Sequence, residues 1–325
     1  MIMMIVLNMT LLPMFGGDYN QPFLSAAVFV TVAIGAVGTL LVCIGVSEFD
    51  KPENFAGTGR SREPLRVKDM WNVLRYNRPL QCYIVSLTSD KIASQTASQA
   101  IINTMLFGIL IGDMGISTIL MVVSMIPSIL FAIVGARYAG KFGSKNTIVT
   151  WRFVSMAISI VTVIFFIVID PRNIAHMGPE MILYVLLTLA LNGSNMCITT
   201  ANTAFTADII DYELDRGGKY IPAVVTGTYS LIDKIVSSFG ALIATGAVAL
   251  IGYTASLPQP TDPSTPGVFW MTMAIKYGLP VLGWACTLLA MHFCKLGKAE
   301  MVEIQKRIAE KKASARHEII EENLK

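Results

Sequence analysis

The sequence predicts an all-α polytopic membrane protein, and three observations carry that prediction. Only 14% of its 325 residues are charged while 54% are hydrophobic, with a mean hydropathy of +0.59. A soluble domain usually carries about 25% charged residues, so 47 charged side chains gathered into a few stretches cannot hydrate a globule of this size. Second, eight apolar segments hold 205 residues and leave no room for a soluble domain between them. Third, lysine and arginine fall almost entirely in alternate loops. The same composition excludes intrinsic disorder, collagen and a disulfide-stapled secreted fold, because Cys43, Cys82, Cys197, Cys286 and Cys294 show no framework spacing.

The segments are 1–15, 23–47, 80–112, 116–138, 149–170, 179–207, 222–252 and 267–293. Crossing roughly 30 Å of hydrocarbon at 1.5 Å per residue takes about 20 apolar residues, which all but the first provide. These runs are too long and too continuous for the ten-residue alternating strands of a barrel, so their amides must be satisfied within helices. The first segment begins at the initiator methionine, has no basic flank and no small-residue cleavage site, and so reads as the second half of a helix whose first half and predecessors are absent. Seven basic residues precede Pro79, four lie from Arg137 to Arg152, two follow Asp211 and eight fall in the tail from Lys295. The alternate loops contain only Arg172. Eight alternating crossings therefore put the loop from Glu48, the Arg137 turn and the tail in the cytoplasm of a plasma (inner) membrane protein.

Two segments carry adjacent Asp-Lys pairs near mid-membrane, Asp90-Lys91 and Asp233-Lys234. Sequence neighbours point about 100° apart on a helix, so pairing between helices is expected, Asp90 with Lys234 or Lys91 with Asp233. Ionisable groups at this depth mark a substrate or ion pathway, or else hold the bundle together as static pairs. The sixth segment repeats Asn192, Asn195, Thr199, Asn202 and Thr206 at spacings of 3, 4, 3 and 4, and the third gathers Thr88, Lys91, Gln95, Gln99 and Asn103 on about a third of its circumference. Such faces line a watered cavity suited to a polyhydroxylated ligand, or glue helix to helix.

Other motifs carry less. The run GARYAGKF at 135–142 nearly matches a phosphate loop, but Phe142 stands where a hydroxyl residue is required and an apolar helix precedes it. His176, His292 and His317 are scattered, and no cysteine pair has zinc spacing, so neither a metal site nor an enzyme's nucleophile-base constellation is discernible and no cofactor is expected. In the tail, Met301, Ile304 and Ile308 share one side of a basic helix, which rests on headgroups, caps the bundle or is solvated.

The run ADIIDYELDRGGKYIPAVVTGTYSLIDKIVSSFGALIATGAVALIGY resembles the tenth-to-eleventh helix region of the glycoside-pentoside-hexuronide:cation symporters, the melibiose-carrier branch of the major facilitator superfamily. Asp208, Asp211, Tyr212, Lys234 and Gly252-Tyr253 fit the pattern without a gap. LPMFGGDYNQPF resembles the outer end of that family's fifth helix, VLRYNRPL the start of the seventh, and GARYAGKFGSKN the basic turn after the eighth. The resemblance implies a major facilitator fold, N-terminally incomplete, with about eight of twelve helices. Residues 1–47 would end the N-terminal bundle, 48–79 form the central loop, 80–293 the C-terminal six-helix bundle and 294–325 a cytoplasmic tail helix.

It further implies alternating-access symport of a glycoside, pentoside or hexuronide with Na+ or H+, with Lys234 as the cavity lysine and Asp208 and Asp211 in a cytoplasmic charged gate. Tyr220 and Pro222 stand where the family often has an arginine and an acidic residue, which leaves Arg216 or Lys219 as the gate's basic partner. The expected cavity set is Lys234, Asp233, Asp90, Lys91, Gln95, Asn192, Asn195, Thr199 and Asn202. The expected partners are a small sugar, the lipid bilayer and the missing helices or a complementary half, with no nucleic acid. The alternatives are a non-transporting remnant or sugar sensor, and a facilitator for an amphiphile.

Overall fold

The computed structural model describes residues 10–11, 14, 21–47, 67–217, 222–254 and 256–323. The segment 1–15 falls mostly outside them, as does the central loop up to residue 66. Among the described residues the chain is helical and has no strand. It divides into two compact units, one of residues 1–57 and 314–325 and the other of residues 58–313.

Helix α1 (Gln21–Ser47) belongs to the first unit. Its 27 residues include no charge, and large apolar side chains such as Phe29, Leu41 and Ile44 are exposed around it. Two of its hydroxyls bond within the helix, Thr39 donating to the Gly35 carbonyl at 2.9 Å and Ser47 to that of Ile44 at 2.7 Å. A helix apolar on every side that satisfies its own backbone suits lipid.

The second unit is a bundle of six helical rods. The first comprises α3 (Arg78–Ala97) and α4 (Ala100–Ile111), preceded by the short α2 (Val67–Tyr76). Asn77 caps α3, its Oδ1 accepting from the Leu80 amide at 2.9 Å, with Pro79 in the first turn. From Thr104 to Ile111 the helix winds as a π-helix and ends at Gly112 in the left-handed region, φ +89°. The chain then bends by 113° into the second rod, α5 (Gly115–Val123) and α6 (Met125–Phe142). The other rods are α7 (Ser144–Val168), α8 (Pro179–Gly217), α9 with α10 (Pro222–Ser237, Phe239–Leu250), and α11 with α12 (Pro266–Met273, Leu279–Phe293) joined by a π turn, Ala274–Gly278.

Among the described residues, five helical spans, α1 and the last four rods, are long and apolar enough to cross a membrane. The first two rods of the bundle are interrupted, at Ser98-Gln99 and at Ser124.

Two apolar cores reveal how the rods alternate. One gathers Leu106 and Leu110 from the end of the first rod, Ile116 and Leu120 from the start of the second, Phe166 from the end of the third, Tyr184 from the start of the fourth, Val248 from the end of the fifth and Val268 from the start of the sixth. The other joins the opposite ends: Leu80, Ile148, Phe205, Ile209, Val224 and Met291. Consecutive rods therefore run up and down.

Close crossings rest on glycine. A Cβ on Gly135 of α6 would lie 2.6 Å from the Cys197 Cα of α8, and one on Gly283 of α12 would lie 2.8 Å from the Ser89 carbonyl oxygen of α3. Without a hydrophobic drive between helices in lipid, this approach of backbones supplies the packing.

The second core continues into α13 (Lys298–Asn323), whose Met301, Ile304 and Ile308 are buried in it. Of the three arrangements open to the tail, capping the bundle is the one observed. Lys298 donates to the Gly140 and Lys141 carbonyls at 3.0 and 2.7 Å, closing the end of α6. Arg307 and Lys311 hold the Asp215 carboxylate at the end of α8, at 2.7 and 3.1 Å.

Candidate functional site: a charged belt between two cores

Between the two apolar cores lies a layer of polar side chains, built from the third or fourth turn of several rods. Asp90 stands twelve residues into α3 and Asp233 eleven into α9, each about 17 Å along its helix at 1.5 Å per residue. Their depths match, as the sequence suggests.

Lys91 and Asp233 pair between helices, Nζ to Oδ1 at 3.3 Å, which is one of the two expected couples. The other does not form. Asp90 turns instead to Arg152 of α7, whose Nη2 donates to its Oδ2. Lys234 is exposed and makes no ion pair among the described residues. The reason lies in a helix boundary. The basic count treats Arg152 as part of a cytoplasmic turn, but Gly143 ends α6 with φ +90° and α7 begins at Ser144, which carries Arg152 two turns into the bundle.

Arg152 is the centre of this belt. Its Nη1 donates to Asn195 Oδ1 at 2.9 Å, its guanidinium lies over the Trp284 ring at 5.7 Å, and its Nε is buried without a partner among the described residues. Asp90 Oδ1 accepts from the Thr287 hydroxyl of α12 at 3.0 Å, and Thr287 in turn lies 3.3 Å from the Ser86 hydroxyl. One ion pair thus ties four rods together. Arg152, Ser155, Ser159 and Thr162 recur at spacings of 3, 4 and 3, and all four are buried. This stripe follows the same rule that singles out the face of the sixth segment, and it was the signal by which Arg152 is legible.

The remaining expected cavity residues separate into two groups. Asn192 donates to the Ser124 hydroxyl at 3.1 Å, and the Tyr83 hydroxyl meets the Asn202 carbonyl and the Thr206 hydroxyl at 3.0 and 2.9 Å. Much of the α8 face is therefore engaged with neighbouring rods, while Thr199 is exposed and Asn202 Oδ1 is buried without a partner among the described residues. Gln95 packs against Gly240 of α10, where an added Cβ would come within 2.7 Å of its own Cβ.

At the end of the bundle marked by basic residues, the expected gate residues occupy three settings. Asp208 lines a recess of about 160 Å³ with Ser144, Lys145, Lys298 and Gln305. Asp211 faces Gln305 and Lys312 of α13. Arg216 pairs with Glu213 at 2.8 Å, and the buried Glu213 carboxylate accepts from the Asn77 amide at 2.8 Å. Asn77 and Glu213 are absent from the sequence-derived set because an asparagine before Arg-Pro reads only as a helix cap.

This layer holds two interhelical ion pairs between the apolar cores. Among the described residues, no group of histidine, cysteine, aspartate and glutamate is arranged to hold a metal ion. Residues 1–298 match the family described as MFS/sugar transport protein. Comparison with curated proteins gives no match.

Proposed function

Since the chain belongs to the MFS/sugar transport protein family, we propose that it carries out cation-coupled symport of a glycoside, pentoside or hexuronide by alternating access. The observation that carries this reading is the charged belt between two apolar cores, with Lys91-Asp233 and Arg152-Asp90 each joining different rods. Charges at such depth are costly to maintain for packing alone, and interhelical pairs that exchange partners are a means of coupling rod movement to binding.

In this reading residues 80–293 are the C-terminal half of the carrier, 1–47 the end of the N-terminal half, 48–79 the central loop and 294–325 the tail. The basic end of the bundle faces the cytoplasm of a plasma or inner membrane, so the C-terminus is cytoplasmic. Lys234, exposed and unpaired among the described residues, is available for substrate or for a carboxylate of the opposite half. Asp208, Asp211 and Arg216 form the inner gate together with Glu213. The substrate crosses unaltered.

The test is uptake of labelled glycosides by proteoliposomes under an imposed Na+ or pH gradient. Concentrative uptake that Lys234→Ala abolishes is expected. Undiminished coupled uptake in that variant would remove Lys234 from the mechanism, and binding without flux would make the protein a sensor.

A further inference from the structure

The break in the first rod has a local cause. Ser98 Oγ joins its own amide on the Ser94 carbonyl, at 2.7 and 3.0 Å, while Gln99 Nε2 takes the Gln95 carbonyl at 3.1 Å, the acceptor the Gln99 amide would use in a continuing helix; that amide turns to the Thr96 carbonyl at 3.3 Å. The Asn103 side-chain amide donates to the Ser98 carbonyl at 3.3 Å, which leaves its Oδ1 as an acceptor. Ala97 closes α3, where terminal carbonyls lack intrahelical donors.

Into this gap comes Lys276 from the sixth rod. Its Nζ lies 2.7 Å from Asn103 Oδ1 and 3.2 Å from the Ala97 carbonyl oxygen. Both are neutral oxygens, and no carboxylate lies within ion-pair distance of Lys276 among the described residues. The charges on the helices packed against its turn are Arg78, Asp90 and Lys91 of α3 and Lys145 and Arg152 of α7. Asp90 and Arg152 are matched to each other, Lys91 to Asp233, and Arg78 and Lys145 stand at the basic end. Both partners in the contact depart from α-helical winding, through the π-helix Thr104–Ile111 and the π turn Ala274–Gly278. Such departures concentrate at functional positions. Unwound carbonyls near mid-membrane are also the usual ligands of coupling cations in carriers with interrupted helices.

We propose that Lys276 is the tethered occupant of a monovalent-cation site at this break, and that gain and loss of its proton is the cation step of the cycle. The inference rests on the transport reading above and deepens it, naming H+ as the coupling ion. A lysine suits the role because its ammonium can lose a proton to water in the pathway, which an arginine cannot do. With the proton gone, Nζ keeps two N–H donors but loses its charge, so its bonds to Asn103 Oδ1 and the Ala97 carbonyl weaken from charge-assisted to neutral and the two rods are freer to shift at their π segments.

The decisive variant is Lys276→Arg, compared with wild type in proteoliposomes for accumulation driven by a pH gradient and for equilibrium exchange of labelled against unlabelled glycoside. Arginine keeps the fixed charge, so exchange should persist within about twofold while pH-driven accumulation falls at least tenfold. Full accumulation by Lys276→Arg, or wild-type accumulation driven by Na+ and not by pH, overturns the proposal. A second measurement needs no flux: the unfolding midpoint of detergent-purified Lys276→Ala in NaCl against choline chloride at equal ionic strength. The vacated oxygens should give the variant a saturable stabilisation by Na+ that wild type lacks, and equal midpoints in the two salts overturn the cation site. Absence of any glycoside flux in wild type counts against the transport reading, and the midpoint comparison then still decides the site.

Discussion

Replacing Asp90 with alanine would leave the Arg152 guanidinium between α3, α7 and α8 with Asn195 Oδ1 as its one remaining acceptor among the described residues. In the intact pair the two side chains are 8% and 12% exposed, so neither can recover hydration without opening the bundle. Removing one partner of such a pair costs about 3–5 kcal/mol, most of it the uncompensated charge left behind. Loss of the Thr287 hydrogen bond falls within the same change. Arg152→Met should be comparably damaging, since it strands the carboxylate with Thr287 alone. The double variant Asp90→Ala/Arg152→Met removes both charges together with their desolvation. It should therefore be less destabilised than the two singles combined by about 2 kcal/mol or more, a coupling in the range measured for residues in contact. This corresponds to a factor of about 30 in the unfolding equilibrium, at 1.4 kcal/mol per tenfold. The assay is equilibrium unfolding of the detergent-solubilised protein, with Thr287→Val as a control that costs about 1 kcal/mol for one lost hydrogen bond. Additivity of the two singles within about 0.5 kcal/mol would refute the argument that this pair is matched at depth.

Three further outcomes follow from the same geometry. Lys91→Asp and Asp233→Lys should each impair uptake, and their combination should recover a substantial part of it. Because Lys91 is 35% exposed, neutralising the pair should change the unfolding free energy by less than about 1 kcal/mol. Ile304→Ala in α13, at 1% exposure, should cost about 2–4 kcal/mol by opening a cavity against the second core, read as a lowered unfolding midpoint. Gly283→Leu should destabilise by about 1–3 kcal/mol or more through overpacking against Ser89, while Gly246→Ala, with open space around its Cβ position, should leave the midpoint unchanged or slightly raised.

Much of the fold is legible from local rules because lipid imposes them locally. A segment that must satisfy its own backbone declares itself by length and apolarity, and the expected 23–47, 222–252 and 267–293 agree closely with Gln21–Ser47, Pro222–Leu250 and Pro266–Phe293. The ends are less legible where a helix continues past the hydrocarbon. The expected 179–207 extends to Gly217 because Glu213 finds Asn77 and Asp215 finds Arg307, partners that no local pattern identifies. The candidate site divides in the same way. Asp90, Lys91 and Asp233 are visible as charges out of place. Arg152 is hidden by the basic turn beside it, and Lys276, visible as a lysine inside a span, has neutral partners in Asn103 and Ala97 that no sequence pattern identifies.

By itself the sequence determined the class of the protein, the gathering of its basic residues in alternate loops and the position of its charges along their helices, because each depends on one helix and its solvent. Tertiary structure decided who pairs with whom. Whether Asp90 meets Lys234 or Arg152 depends on the rotation of α3 against α7 and α9, and that rotation is set by where glycines allow backbones to touch and where Ser98 and Gln99 interrupt a helix. An ion pair at mid-membrane is a property of two helices in register, and register is not written in either one.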